Sequence, residues 1–231
     1  MRPLTIDRPK VMCPVADRAL IDHALDRLRS CTGDVAVNAH ESQSSLIAHL
    51  DGVARVSVEA GEALGTAGAL APLRDWIDGR PSLVVNGDTW CPGGLDALIE
   101  GWDGTSIRVL VAGAPVFGPR IRVAGALMPW SDVERLDAVP SGLYEVMWRA
   151  ADAAGRLDAV GYSGPFVDCA TPADYLRANL EAAGGSVIGE GAEVHGTLVD
   201  SVVWPGAVVH AGEHLERAIR TDTGRTVLIR S

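Results

Sequence analysis

The chain has 231 residues, 47% hydrophobic and 22% charged, a balance that describes a folded globular protein and excludes a disordered or low-complexity one. Thirty acidic against 20 basic side chains give a net charge of −10, which disfavours non-specific attraction to nucleic acid or an anionic membrane and points to a soluble partner. No run reaches the roughly 18 apolar residues of a spanning helix, MRPLTIDRPK leads into no apolar secretory core, and Cys13, Cys31, Cys91 and Cys169 form no CxxC pair, so the expectation is a cytoplasmic protein with reduced thiols.

Residues 17–29 place Leu20, Ala24, Leu25 and Leu28 at helical spacing and predict an amphipathic helix. Residues 34–38 read as a strand, 41–50 as a helix, 54–58 as a strand and 66–77 as a helix. The alternation continues with a strand over 82–85, a helix over 94–102 and a strand over 107–112. Such alternation predicts a parallel sheet covered on both faces. Beyond Arg120 the pattern loosens: 121–127 is strand-like, 131–136 and 141–154 are helix-like, and 165–168 approach a turn, where the second half of a ligand cleft is expected. Thr171 before Pro172 reads as an N-cap with proline at the first helical position, so a helix is predicted over 172–183. After Gly184-Gly185, six-residue steps run from Ile188 to Val194 and through Val203, Val209 and Leu215. They predict at most two coils of a parallel β-helix with TVLIR adding a strand, and ordinary antiparallel hairpins are the alternative.

No P-loop, GxGxxG, HExxH or GxSxG sequence is present. The stretch SLVVNGD runs an apolar strand into Asn86, Gly87 and Asp88. Ligands in open α/β sheets sit beyond the carboxyl ends of such strands, which makes Asp88 a candidate ligand; Asn86-Gly87 is also a hairpin signal that would leave Asp88 solvated. Gly65, Thr66, Ala67 and Gly68 open a helix with small residues, letting backbone groups approach a flat ligand such as a nucleobase, or simply letting the helix pack closely. Asp88 and Asp168, from separate strand ends, suit a hard cation such as Mg²⁺, and a carboxylate pair also suits general acid–base work. Lys10 offers a point charge to phosphates, although an N-terminal lysine is commonly just solvated. His195, His210 and His214 read as surface or packing residues, and the six tryptophans as core and interface, with Trp90 notable for its place near Asp88.

Taken in order, RPLTIDRPKVMCPVADRALIDHAL, VNAHESQSSLIAHL, EALGTAGAL, LVVNGD and FVDCATPADYLRANL resemble the sugar-1-phosphate nucleotidyltransferases over most of residues 2–180. Within that family the likeness is to the mannose-1-phosphate guanylyltransferase and N-acetylmuramate-1-phosphate uridylyltransferase branch. The resemblance implies a Rossmann-like, mostly parallel sheet with helices on both faces over residues 1–183, then a short left-handed parallel β-helix over 184–231 that serves assembly into a homo-oligomer. It also implies an activity: a nucleoside triphosphate and a sugar 1-phosphate give a nucleotide sugar and pyrophosphate, with Mg²⁺ as cofactor. By the same resemblance Lys10 contacts the phosphates and Leu64 to Gly68 border the base, with Asn86 and Gly87 also in the nucleotide site. Asp88 and Asp168 would hold the metal, and Gly125 and Glu145 would contact the sugar.

The family carries a first strand and a glycine-rich LAAGxGTR loop ahead of the RPLT run, whereas this chain opens at Met1-Arg2-Pro3. The expectation is a start placed too far downstream or a truncated homologue, with impaired turnover and less stability than an upstream-extended form. Ala170 stands where the family has glycine in a D-x-G-T-P turn, which would cost roughly 1 kcal/mol if the position needs a positive φ. The alternative function is a non-catalytic nucleotide-sugar-binding or regulatory subunit of the same fold.

Overall fold

A computed structural model describes residues 1–230. The chain divides into two compact units. One comprises Met1–Ala24, Gly87–Cys91 and the segment from Pro165 onward; the other comprises Leu25–Asn86 and Pro92–Gly164.

The second unit is built on a four-stranded sheet in the order Ser82–Val84, Val123–Met128, Ile107–Ala112, Leu157–Tyr162. The expected mostly parallel sheet is corrected here: Val123–Met128 runs antiparallel to both its neighbours, and only Ile107–Ala112 with Leu157–Tyr162 is parallel. The physical reason is connection length. Residues 113–122 contain no helix, and a parallel crossover needs a dozen or more residues, so the chain turns back on itself. Ala36–His40 and Arg55–Glu59 form a separate parallel pair. Leu157–Tyr162 is a strand that the sequence pattern did not announce, since only Tyr162 of its six residues is buried.

Helical expectations in this unit survive in shortened form. The predicted helix over 66–77 breaks into Gly65–Gly68, a 3-10 turn Ala71–Leu73 and Arg74–Ile77. Pro72, which lacks a backbone N–H, sits in the middle piece. Residues 141–154 hold a π-helical turn, Tyr144–Trp148, followed by Arg149–Ala153. Ile107, Val109, Met128, Val133, Leu143 and Trp148 are among the side chains of the common core.

The first helix begins at Leu20, later than periodicity suggests, and runs to Arg29. Residues 14–19 form a tight hairpin instead, pairing Pro14 with Ala19 and Val15 with Arg18. Its turn needs positive φ at Ala16 and Asp17, neither of them glycine. Tertiary contacts hold it: the Ala16 N–H donates to Asn179 Oδ1, and the Glu190 N–H donates to the Asp17 carboxylate. Pro172–Ala183 is a helix at the predicted residues, with a reciprocal capping box between Thr171 and Asp174 and Gly184 in the left-handed conformation beyond its end.

The tail consists of short parallel ladders. Val187–Ile188 pairs with Val202–Val203, and Glu193–Val194 with Val208–Val209, each at an offset of fifteen residues. Thr197–Val199 pairs with His214–Glu216, and Val202 continues onto Ile219, at seventeen. Among the described residues of the tail only the closing strand Thr226–Leu228 pairs antiparallel, so these short ladders are not the antiparallel hairpins of the alternative. Ile188, one of the six-residue marker positions, faces outward at 55% exposure, and its neighbour Val187 is the buried one. The unit's core joins Leu4, Cys13, Leu20, Trp90, Tyr175 and Trp204 with the tail residues Val202, Val209 and Ile219.

Burial sets the thiol chemistry of this core. Cys13 and Cys169 are fully buried, and desolvation raises each thiol from 9.0 to about 12. The folded state therefore keeps these protons after the unfolded chain has lost them. Their contribution to stability is complete below pH 9 and is lost as pH rises from about 9 towards 12. Urea unfolding between pH 8 and 11 is expected to show a midpoint that falls once pH exceeds about 9, and a flat midpoint would contradict this burial. Among the described residues no helix is long and apolar enough to cross a membrane.

Candidate active site

Lys10 begins a 3-10 turn, Lys10–Met12, directly after Pro9. Its ammonium lies 2.7 Å from Asp88 Oδ2 and 3.7 Å from Asp168 Oδ1. The two carboxylates converge for a local reason. Thr89–Trp90 and Val167–Asp168 pair antiparallel, with Thr89 opposite Asp168, and the Cys169 N–H donates to the Asp88 carbonyl at 3.3 Å. This pairing, together with that of Ser82–Val84 onto Val123–Met128, excludes the Asn86-Gly87 hairpin, because the strand after the turn does not fold back on the strand before it. Gly87 has no room for a side chain, since a Cβ there would lie 2.9 Å from Ile21 Cδ1. Ala170 is not among the positive-φ residues, so the alanine in the DCATP turn carries no backbone strain.

The site is half open: the side chains of Lys10, Asp88 and Asp168 are 27%, 37% and 59% exposed. Two carboxylates against one ammonium leave a net negative group with hard oxygen donors, the chemistry that Mg²⁺ selects. One signal for this site was available in the sequence and lies in what the chain lacks: Lys10 is its only lysine, every other basic residue of the Lys and Arg class being arginine. A compact, strongly hydrated ammonium is thus kept at the one position where it touches both aspartates.

Of the remaining candidates all but Gly87 fall in the second unit, and three of them, Thr66, Asn86 and Glu145, border a cavity of roughly 160 Å³. Thr66, Asn86, Tyr144, Glu145 and Trp148 line it, with Val84, Val85, Val123, Ala126 and Leu143 as apolar wall. No lysine or arginine contributes to this lining, so it suits a neutral ring better than a phosphate. Leu64 to Gly68 is clamped to the segment ahead of Glu145: the Ala67 N–H donates to the Ser141 carbonyl at 3.0 Å and the Ser141 N–H to the Leu64 carbonyl at 2.9 Å. The Leu143 N–H donates to Thr66 Oγ1. On its other side the Leu64 N–H donates to Glu59, a carboxylate only 6% exposed that also accepts from Asn38. Sequence reading missed Glu59, because a lone acid at a strand end is indistinguishable from a solvated one until its partners are known.

Gly125 is buried in Val123–Met128, and the space beside it belongs to Leu95 and Leu98, each 3.0 Å from where a Cβ would stand. Trp148, read from sequence as a core residue, is 7% exposed, and its indole N–H has no hydrogen-bond partner among the described residues. The structure therefore groups the candidates in two sets, Lys10 with Asp88 and Asp168, and Thr66 with Asn86 and Glu145.

The family profile described as nucleotidyl transferase matches residues 1–116, half of the chain. An N-acetylmuramate alpha-1-phosphate uridylyltransferase from Caulobacter vibrioides is 38% identical over 116 residues, covering 45% of this chain and 48% of the relative. The bifunctional protein GlmU of Methanocaldococcus jannaschii is 27% identical over 89 residues, 38% of this chain and 22% of the relative. The matched stretch thus spans about half or less of these curated relatives. Among solved structures, HddC from Yersinia pseudotuberculosis complexed with GMP-PN superposes with a TM-score of 0.60 at 15% identity, covering 79% of this chain and 93% of that one. A candidate glucose-1-phosphate thymidylyltransferase from Bacillus anthracis gives 0.61 at 17% identity, covering 79% and 89%. These likenesses carry the α/β fold, and the profile match over half of the chain establishes that the chain belongs to the nucleotidyl transferase family.

Proposed function

We propose that the chain is a Mg²⁺-dependent sugar-1-phosphate nucleotidyltransferase, releasing pyrophosphate as it joins a nucleoside triphosphate to a sugar 1-phosphate. The observation that carries this reading is the single lysine held against two aspartates, in a chain of this family. Lys10 binds phosphate oxygens and offsets the charge that gathers on them as a sugar-phosphate oxygen attacks the α-phosphorus and the bond to the leaving pyrophosphate breaks. Asp88 and Asp168 hold the metal, which when bound neutralises phosphate charge and aligns the reacting groups. Asp88 has a second task, fixing the ammonium at 2.7 Å. Leu64 to Gly68, Asn86 and Gly87 take the nucleotide, and the sugar is taken by Glu145 and by the backbone at Gly125; the cavity shared by Thr66, Asn86 and Glu145 supports this grouping.

In the same proposal residues 1–183 form the catalytic domain, and the tail from 184 is a short left-handed β-helix through which copies of the chain pair. The parallel ladders at near-constant offset support the β-helix. A cytoplasmic setting accords with the four free thiols. The test is pyrophosphate release by the 231-residue chain, measured over a panel of nucleoside triphosphates and sugar 1-phosphates. Release is expected for at least one pair, abolished by EDTA and restored by Mg²⁺. Saturable nucleotide-sugar binding with no release from any pair would replace this reading with that of a binding subunit.

A further inference from the structure

The approach to Lys10 is gripped by the tail. Arg8 Nη2 lies 2.6 Å from Asp222 Oδ2, and the Arg8 guanidinium stacks 4.6 Å from the ring centroid of Trp204. Trp204 is 2% exposed, and its indole N–H donates to Tyr175 Oη, whose hydroxyl in turn donates to the Pro14 carbonyl. Asp222 stands on a turn tied across by the Thr221 and Arg225 backbones. A second pair, Arg225 with Asp7 at 3.6 Å, lies beside the first. Only Pro9 separates Arg8 from Lys10, and its ring fixes the backbone between them. An exposed ion pair alone contributes little. A planar guanidinium that is both paired with a carboxylate and laid on a buried indole is a directional anchor that lysine cannot reproduce.

We propose that Arg8 is a positioning residue and that the tail, through Asp222 and Trp204, acts as an intramolecular clamp holding Lys10 against Asp88 and Asp168. The consequence for phosphate binding rests on the function proposed above; the clamp itself does not. It gives the tail a role within one chain, independent of any pairing of copies.

Because Lys10 is the only lysine, amine-selective acylation of the 231-residue protein at neutral pH, read by peptide mass spectrometry, reports its hold directly. Arg8→Ala and Asp222→Asn are expected to raise Lys10 acylation by about fivefold or more, the factor that accompanies loss of one modest interaction. They should also speed amide exchange at Cys13, whose N–H bonds the Lys10 carbonyl at 3.1 Å. Asp222→Glu, which keeps the carboxylate, is expected to stay near the native rate. Arg177→Ala breaks exposed pairs with Asp174 and Glu181 on a helix and should change nothing. Native acylation and exchange in both Arg8→Ala and Asp222→Asn, or an equal rise in Arg177→Ala, would overturn the clamp. Pyrophosphate release by the unaltered protein, measured in parallel, separates failure of the clamp from failure of the proposed reaction.

Discussion

Replacing Asp88 with alanine is expected to lower the pyrophosphate-release kcat by a factor on the order of 10²–10³, the loss typical when one preorganised electrostatic group is removed from a reacting centre. Asp88 serves both partners of the proposed site. It is proposed as one of two carboxylates for the metal, and it holds the Lys10 ammonium at 2.7 Å, leaving only Asp168 at 3.7 Å once it is gone. Stability should hardly change, because a half-exposed pair of this kind contributes about 1 kcal/mol or less. The two effects are thus separable in one variant: a melting temperature near native beside a collapsed kcat. Asp88→Asn keeps the shape but not the charge and is expected to behave like alanine. Activity within tenfold of native for both variants would remove Asp88 from the mechanism.

The parts of this molecule legible in the sequence are those fixed by neighbours a few residues away. The helix Pro172–Ala183 lies at its predicted bounds because Thr171, Pro172, Asp174 and Gly184 settle both ends locally. The strand Ile107–Ala112 is likewise found where its apolar run places it, with five of six residues buried. What escaped depends on distant partners. The hairpin over 14–19 exists because Asn179 and Glu190 meet Ala16 and Asp17 from far along the chain, and no local rule favours positive φ at an alanine. The direction of Val123–Met128 follows from a connection without a helix, which periodicity does not reveal.

The candidate site divides on the same line. Asp88 and Asp168 were legible because a strand end followed by a carboxylate is a local pattern, and the resemblance supplied their pairing. That Lys10 touches both, that Glu59 holds Leu64 and that Trp204 supports Arg8 could not be read, since each joins residues whose spacing carries no period. The glycines of the LGTAG segment show the limit most clearly. From sequence they allowed either a ligand's approach or close packing, and the structure finds backbone already there: Ser141 at Gly65 and Val139 at Gly68.

Gly68→Ala therefore tests that packing, and two effects of opposite sign decide it. Gly68 lies within the helical turn Gly65–Gly68, where alanine would ordinarily gain about 1 kcal/mol over glycine. A Cβ at this position would stand 2.2 Å from the Val139 carbonyl oxygen and 3.0 Å from its carbon. That oxygen cannot easily retreat. It accepts from Ser141 Oγ at 2.9 Å, it precedes Pro140, and the backbone after it is tied to Leu64 and Ala67 through Ser141. Forcing a methyl group into such a place costs roughly 1–3 kcal/mol or more, so the overlap outweighs the helical gain and the melting temperature is expected to fall by several degrees, at about 2–4 °C per kcal/mol for a chain of this size. The displaced segment leads through Leu143, whose N–H bonds Thr66, into Glu145. Sugar-phosphate KM should accordingly rise, with the Lys10 acylation rate unchanged. Gly33→Ala, where nothing lies within 4 Å, is the matched control. A Gly68→Ala protein as stable as that control would mean that Val139 gives way, and the clamp on Leu64 to Gly68 would then be too soft to orient a ligand.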